Sequence, residues 1–318
     1  MDIAVVGASG FVGRNVVAEL VAADHRVRAL DVEPFDPTHE AVSFESVDVT
    51  DPDSVERVID GADAVAHLAA HPLSASVDHP RENAEVNVVG SLNVLDAARE
   101  TGVEQVFFAS ASSLVGEVET VPVPEDHPVA PKSPYGVAKH AVEEYLDVYR
   151  DLYDLDYLVF RFFNVYGPHQ HPDTGGLVPV VLSRLARGQG VFVTGDGSQT
   201  RDFVYVGDVA EYVRRGLESG VKNEVVNMGR GEPTSVRDAI ELMADVVGVD
   251  PDVEERPERP DEIDDFYADT HRCKRLFGDA PDTDLRTGLE RTYDWLATEL
   301  DLDSDTDTDG DAGSGDAA

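Results

Sequence analysis

Asp2-Ile3-Ala4-Val5-Val6-Gly7-Ala8-Ser9-Gly10-Phe11-Val12-Gly13 decides the fold: a short β-prone run enters Gly7-x-x-Gly10-x-x-Gly13, and residues 15–21 then read as a helix. Glycines at these places let the backbone turn tightly and approach a pyrophosphate, which the positive end of the following helix holds. A strand before and a helix after are the context that makes such a triplet a dinucleotide fingerprint. A second strand follows at Val27-Arg28-Ala29-Leu30-Asp31. Its terminal carboxylate is placed to accept hydrogen bonds from both adenosine ribose hydroxyls and to repel a 2′-phosphate, so NAD is favoured over NADP. Arg28 is the one counterargument, and it lies within the strand rather than after it. Asp48-Val49, ending a third strand, is placed to meet the adenine; a carboxylate capping a turn is an equal alternative.

Further strands are expected at 42–48, 64–69 and 105–110, with helices at 52–60 and 83–99 between them. Strands alternating with helices at this spacing mean α/β architecture with a parallel, doubly wound sheet. The pattern continues through a helix carrying Tyr135 to a strand at 157–162. Gly167-Pro168-His169-Gln170-His171-Pro172 then breaks it, ahead of a helix at 177–187. Residues 1–165 therefore form a first domain. Residues 166–300 form a smaller one, with chain returning to the sheet around 203–206 and 224–227. The tail, 301–318, is Asp, Gly, Ser, Thr and Ala, a composition that stays disordered. Asp305-Thr306-Asp307-Thr308-Asp309-Gly310 superficially matches a calcium loop, but Ala312 replaces the apolar anchor and no helix exits, so no metal is assigned.

The 318 residues carry 64 Asp+Glu against 25 Lys+Arg, a net charge of -39, and only Lys132, Lys139, Lys222 and Lys274 are lysines. At molar salt the Debye length falls to about 3 Å, so such a surface is screened and stays soluble. A halophilic protein is expected, and neither nucleic acid nor an anionic membrane is a suitable partner. Cys273 is the only cysteine, which rules out an intrachain disulfide and fits a reducing cytoplasm. No apolar run approaches the roughly 20 residues of a membrane span, and the first strand starts without a charged leader. A soluble cytoplasmic protein is expected.

Ser133-Pro134-Tyr135-Gly136-Val137-Ala138-Lys139 carries the chemistry. Tyr135 and Lys139, at i and i+4, share one helix face. Tyrosine titrates near 10, and a fixed ammonium in a dry cleft favours the phenolate, making Tyr135 a general base. Two surface residues on an amphipathic helix are the plain alternative; the glycine loop upstream argues against it.

These motifs, with His67-Leu68-Ala69-Ala70 and Asn87, resemble the extended short-chain dehydrogenase/reductase superfamily. Arg161-Phe162-Phe163-Asn164-Val165-Tyr166-Gly167-Pro168, the 195–203 segment Gly-Asp-Gly-Ser-Gln-Thr-Arg-Asp-Phe and Arg259-Pro260-Asp261-Glu262 narrow it to the nucleotide-sugar epimerase/dehydratase branch, most like the UDP-glucose 4-epimerases. The resemblance runs from Met1 to about Leu300. It implies a Rossmann-type domain followed by a smaller α/β substrate domain, NAD as a tightly held prosthetic group, and a homodimer through the Tyr135 helix. Val142, Tyr145, Leu146 and Tyr149 would suit the dimer face or the core. Cofactor contacts are implied at Gly7, Gly10, Phe11, Val12, Gly13, Asp31, Asp48, Val49, Leu68, Ala69, Ala70, Asn87, Ser110, Tyr135, Lys139 and Phe162. Asn164, Leu177, Arg201 and Arg259 would take the substrate, the two arginines clamping its diphosphate. Tyr135 would deprotonate the sugar 4-hydroxyl while hydride leaves C4 for NAD and returns to the other face.

Three features depart from that pattern. Ala111 stands where a catalytic Ser or Thr is usual, leaving Ser112 as the expected substitute. Ser112-Ser113 lacks the Asp-Glu pair of the dehydratases and the Glu of the decarboxylases. Thr194 stands where an aromatic often packs on the base. Two competing functions are a net sugar or uronate dehydrogenase, which would release NADH, and a redox-sensing regulator, which would have no use for Tyr135 and Lys139.

Overall fold

The computed structural model describes residues 1–258, 263–279 and 283–300. Its strands are β1 (Asp2–Val6), β2 (Arg26–Asp31), β3 (Val42–Ser46), β4 (Ala64–His67), β5 (Gln105–Ala111), β6 (Asp156–Phe162), β7 (Asn164–Tyr166), β8 (Val191–Thr194), β9 (Thr200–Tyr205), β10 (Glu224–Met228), β11 (Pro233–Ser235), β12 (Val253–Arg256) and β13 (Asp265–Phe266). Seven of them form one parallel sheet in the order β10-β6-β5-β4-β1-β2-β3. The order reverses beside β1, where Val6 lies opposite Leu30 on one side and His67 on the other. A ligand crevice opens at such a switch point, outside the carboxyl ends of the strands.

Alternation along β1 sorts the core onto two faces. Ile3 and Val5 pack with Val16, Leu20, Val209 and Val213, from helices Phe11–Ala22 and Val206–Ser219. Ala4 and Val6 pack with Val55, Leu95 and Leu146, from helices Pro52–Ile59, Ser91–Thr101 and Pro134–Tyr153. Both faces are covered, which is why β4 and β5 read as apolar runs rather than as alternating strands. A third apolar cluster joins helices Leu177–Ala186, Val236–Val247 and Leu285–Glu299 beneath β7 and β9, around Leu182, Ile240, Leu289 and Tyr166.

Several expectations are corrected here. Residues 203–205 do not return to the main sheet. β10 already occupies the edge beside β6, so β9 pairs instead with β11, β13 and β7 in a second sheet. The helix expected over 83–99 is a run of three segments, Pro80–Ala84, a wider π-type stretch Glu85–Gly90 and Ser91–Thr101. Val142, Leu146 and Tyr149 are core residues packed toward the sheet, and only Tyr145 of that group is exposed. Arg28 no longer argues for NADP: its guanidinium bonds Asp2 and the carbonyls of Val58 and Asp60. Among the described residues, no helix is long and apolar enough to cross a membrane and no cluster of metal-binding side chains occurs. The tail and Arg259-Pro260-Asp261-Glu262 lie outside the described residues.

Candidate active site

One cleft of about 1530 Å³ runs from the glycine loop, past Tyr135, to the second sheet. At its first end, Gly7 has φ +91° and its NH donates to the carbonyl of Leu30 at 2.8 Å, so the chain turns off β1 onto the neighbouring strand. A Cβ on Gly13 would stand 2.0 Å from the Gly7 carbonyl oxygen. That contact allows only glycine, and it brings helix Phe11–Ala22 to the loop with its free NH groups facing the cleft. Gly13→Ala should cost about 1–3 kcal/mol of overpacking. Expressed at the loop, this is about 5- to 150-fold in NAD affinity, read from cofactor titration of the apo protein.

Asp31 ends β2 at the cleft wall, its Oδ2 accepting the Ser9 NH at 2.8 Å and its Oδ1 the Glu33 NH at 3.0 Å. The carboxylate is thereby fixed where a ribose would lie. Phe11, Val12, Asp48, Val49, Leu68, Ala69 and Ala70 line the same end. Asp48 also caps its own turn, accepting from the NH and hydroxyl of Thr50. These residues fit a dinucleotide: glycine cradle, helix end and ribose carboxylate stand in one crevice. Asn87 does not reach it. Its side chain bonds both backbone groups of His71, which does line the cleft, so it supports the wall from behind.

Mid-cleft, Pro134–Tyr153 is started by Ser133, whose hydroxyl accepts the Gly136 NH, and by Pro134 at its first position. Lys139 is 2 % exposed. Its Nζ donates to the Ala109 carbonyl at 2.7 Å and lies 5.4 Å from the centre of the Tyr135 ring. Burial pushes Tyr135 up to about 12. Burial also pushes the Lys139 ammonium down to about 7, with the charge of Glu143 pulling the other way. In the empty cleft, desolvation therefore opposes the acidifying effect expected from Lys139. Desolvation outweighs a cation that is itself weakened and bonded to a carbonyl. His67, pushed down to about 3 by burial and then by Lys139, stays neutral and adds no charge.

Sequence reasoning missed the groups behind Lys139. Glu143 accepts from Arg161 through both oxygens, closest at 2.7 Å, and from the Ser110 hydroxyl at 2.5 Å. The one available signal was spacing: Tyr135, Lys139 and Glu143 recur every fourth residue and share a helix face. Ser110, Ser112, Ser113 and Phe162 line the cleft beside Tyr135.

At the far end, Asn164, Leu177 and Arg201 all line the cleft, whereas Arg259 lies outside the described residues. Arg201 is anchored by the carbonyls of Thr200 and Ile263, each at 2.7 Å. Asp202, fully buried, accepts the NH groups of Arg230, Gly231 and Ala268 and so ties β9 to two loops. Thr194 leaves the expected aromatic place empty of a ring. Phe192, two positions earlier in β8, also lines the cleft, with the Arg256 guanidinium 3.7 Å over its ring.

Comparison with known proteins matches residues 3–229 to the NAD dependent epimerase/dehydratase family. UDP-glucose 4-epimerase of Mycolicibacterium smegmatis is 36% identical over 305 residues, which cover 92% of this chain and 97% of the relative. The structure of UDP-glucose 4-epimerase from Thermotoga maritima with UDP-glucose superimposes with a TM-score of 0.88 at 32% identity, covering 94% of this chain and 100% of that one. UDP-N-acetylglucosamine 4-epimerase from Methanobrevibacter ruminantium, in complex with UDP-N-acetylmuramic acid, gives 0.88 at 30% identity, covering 94% and 98%.

Proposed function

The chain belongs to the NAD-dependent epimerase/dehydratase family, and on that premise we propose that it is a nucleotide-sugar 4-epimerase of the UDP-glucose/UDP-galactose type, acting through a transient 4-keto sugar. What supports this is the single cleft in which Tyr135 and Lys139 stand between a dinucleotide cradle and the Asn164–Arg201 end. Bound NAD supplies the hydride acceptor and donor and a positively charged ring. The protein's own residues then handle protons, orientation and water. Tyr135 takes the proton of the 4-hydroxyl and later returns it. Lys139 keeps a cation beside the phenol, held there by the Ala109 carbonyl. Arg201 and Asn164 hold the diphosphate end, so anchoring energy is spent away from the reacting ring, which remains free to turn.

Ser112 and Ser113 offer no carboxyl at the end of β5, so neither can remove a carbon-bound proton to expel water. In the same proposal residues 1–165 with β10 hold NAD, and residues 166–300 hold the nucleotide sugar. The enzyme works as a cytoplasmic homodimer in concentrated salt. Val137, Tyr145, Val148 and Leu152, exposed at helical spacing on Pro134–Tyr153, are the surface that a second copy would cover.

The test is incubation in molar KCl with NAD and UDP-glucose, UDP-galactose, their N-acetylated forms or UDP-glucuronate, following sugar products and absorbance of reduced cofactor together. The expected outcome is an epimer without net reduction of NAD. Stoichiometric NADH, above all with a free sugar, would establish a net dehydrogenase instead.

A further inference from the structure

We propose that Asn15 is a positioning residue for the nucleotide-sugar end of the cleft, although it lies in the helix behind the glycine loop. This rests on the nucleotide-sugar function proposed above.

Asn15 stands two places after Gly13 in helix Phe11–Ala22 and, unlike Gly13, does not line the cleft. Its side-chain amide has two N–H groups to give. The nitrogen donates to the Phe11 carbonyl at 2.9 Å, within its own helix, and to the Pro168 carbonyl at 3.1 Å. The second bond spans 153 positions of chain. A side chain on the dinucleotide helix thus grips the loop that follows β7.

That loop, 167–176, leads into helix Leu177–Ala186 and forms one wall of the cleft through Gln170, Thr174, Gly175 and Gly176. His169 has φ +72°, in the left-handed region that a residue other than glycine adopts at a cost. Such a turn persists only where its surroundings impose it. Trp295 packs against the rings of His169 and His171, 5.3 and 5.2 Å between centres, and Asn15 holds Pro168 from the other side. From there the contacts run on to the ligand wall. The Gln170 NH bonds the Gly167 carbonyl, its side-chain nitrogen reaches the Val165 carbonyl at 3.4 Å, and a Cβ on Gly176 would stand 2.8 Å from that nitrogen. Gly176 is the N-cap of helix Leu177–Ala186, so the setting of the loop decides where Leu177 and Val178 face the cleft. Releasing Pro168 lets the strained turn relax and loosens this wall. The glycine loop keeps its own bond to the Leu30 carbonyl.

The experiment compares Asn15→Ala, Asn15→Ser and Asn15→Asp with wild type in molar KCl. Calorimetry reads two affinities, NAD on the apo protein and UDP on the NAD-loaded protein, beside kcat and KM for UDP-glucose. A serine can still bond the carbonyl four residues back but is too short to reach Pro168, so it separates the two bonds. Asn15→Ala and Asn15→Ser should each weaken UDP binding and raise KM by about 2- to 10-fold, the size of one hydrogen bond. NAD affinity, kcat and the unfolding midpoint should stay near wild type. Asn15→Asp, which turns a carboxylate toward two carbonyls, should lose more. Gly13→Ala should give the opposite pattern, with NAD affinity lost. UDP affinity unchanged in Asn15→Ala, wild-type behaviour of Asn15→Ser, or NAD affinity falling in step with UDP affinity would overturn the assignment. A wild-type protein that binds NAD but not UDP would instead overturn the nucleotide-sugar function on which it rests.

Discussion

Tyr135→Phe will lower kcat by about 10²–10⁴-fold, the range for removing a general acid–base group, while leaving NAD binding and stability nearly unchanged. The substitution deletes one hydroxyl and keeps the ring that stacks near Lys139 at 5.4 Å. That hydroxyl makes no hydrogen bond to any described residue, so nothing structural depends on it. A phenol whose ionisation burial opposes supplies little phenolate until a second positive charge arrives, and bound cofactor would bring one. Acid–base work at Tyr135 should therefore be visible only in the loaded enzyme. Cofactor content of the purified variant, set beside its kcat and KM for a UDP-hexose, checks the separation. Loss of cofactor together with activity would point to a structural role instead.

Glu143→Ala should be the most destabilising single change in the site, at about 3–5 kcal/mol, because it leaves the Arg161 guanidinium buried without its partner. Glu143 and Arg161 are both within a tenth of full burial, and the Ser110 hydroxyl and the Glu125 carbonyl complete their shell. A loss of this size is a large part of the 5–15 kcal/mol that typically holds a domain together. Denaturant midpoints in molar salt would measure it. Glu143→Gln is the gentler partner experiment: it retains hydrogen-bonding atoms but removes the negative charge. Glu143 opposes the burial that draws Lys139 down to about 7, so without it the lysine loses its proton at still lower pH. If activity needs the ammonium, the alkaline limb of the pH–rate profile moves toward acid. An unmoved limb would mean that Lys139 acts without its charge.

What was legible in the sequence was local. The glycine triplet, the strand-end Asp31 and the Tyr135–Lys139 spacing each lie within one strand–turn–helix or one helical turn, and the structure brings them into one cleft. The pairings that close the site from behind were not legible, because they join residues distant along the chain. Arg161 reaches Glu143 only once β6 lies under the Tyr135 helix. Asn87, a cofactor contact by resemblance, stands behind the cleft wall and bonds both backbone groups of His71, a pairing that the sequence does not reveal. β9 looked like a return to the parallel sheet because its residues are β-prone and apolar. Only the placement of β10 at that edge excludes it. The desolvation that opposes ionisation of Tyr135 and of Lys139 was not legible either, because spacing gives the distance to a cation but not the surroundings of either group.

The central claim, that hydride leaves and returns to the same sugar carbon in one bound encounter with Tyr135 handling the proton, is tested most directly with UDP-glucose deuterated at C4. The epimer formed should keep its deuterium at C4, with none in the solvent and none in released NADH. Deuterium recovered in free reduced cofactor, or an epimer that has lost it, would contradict the account.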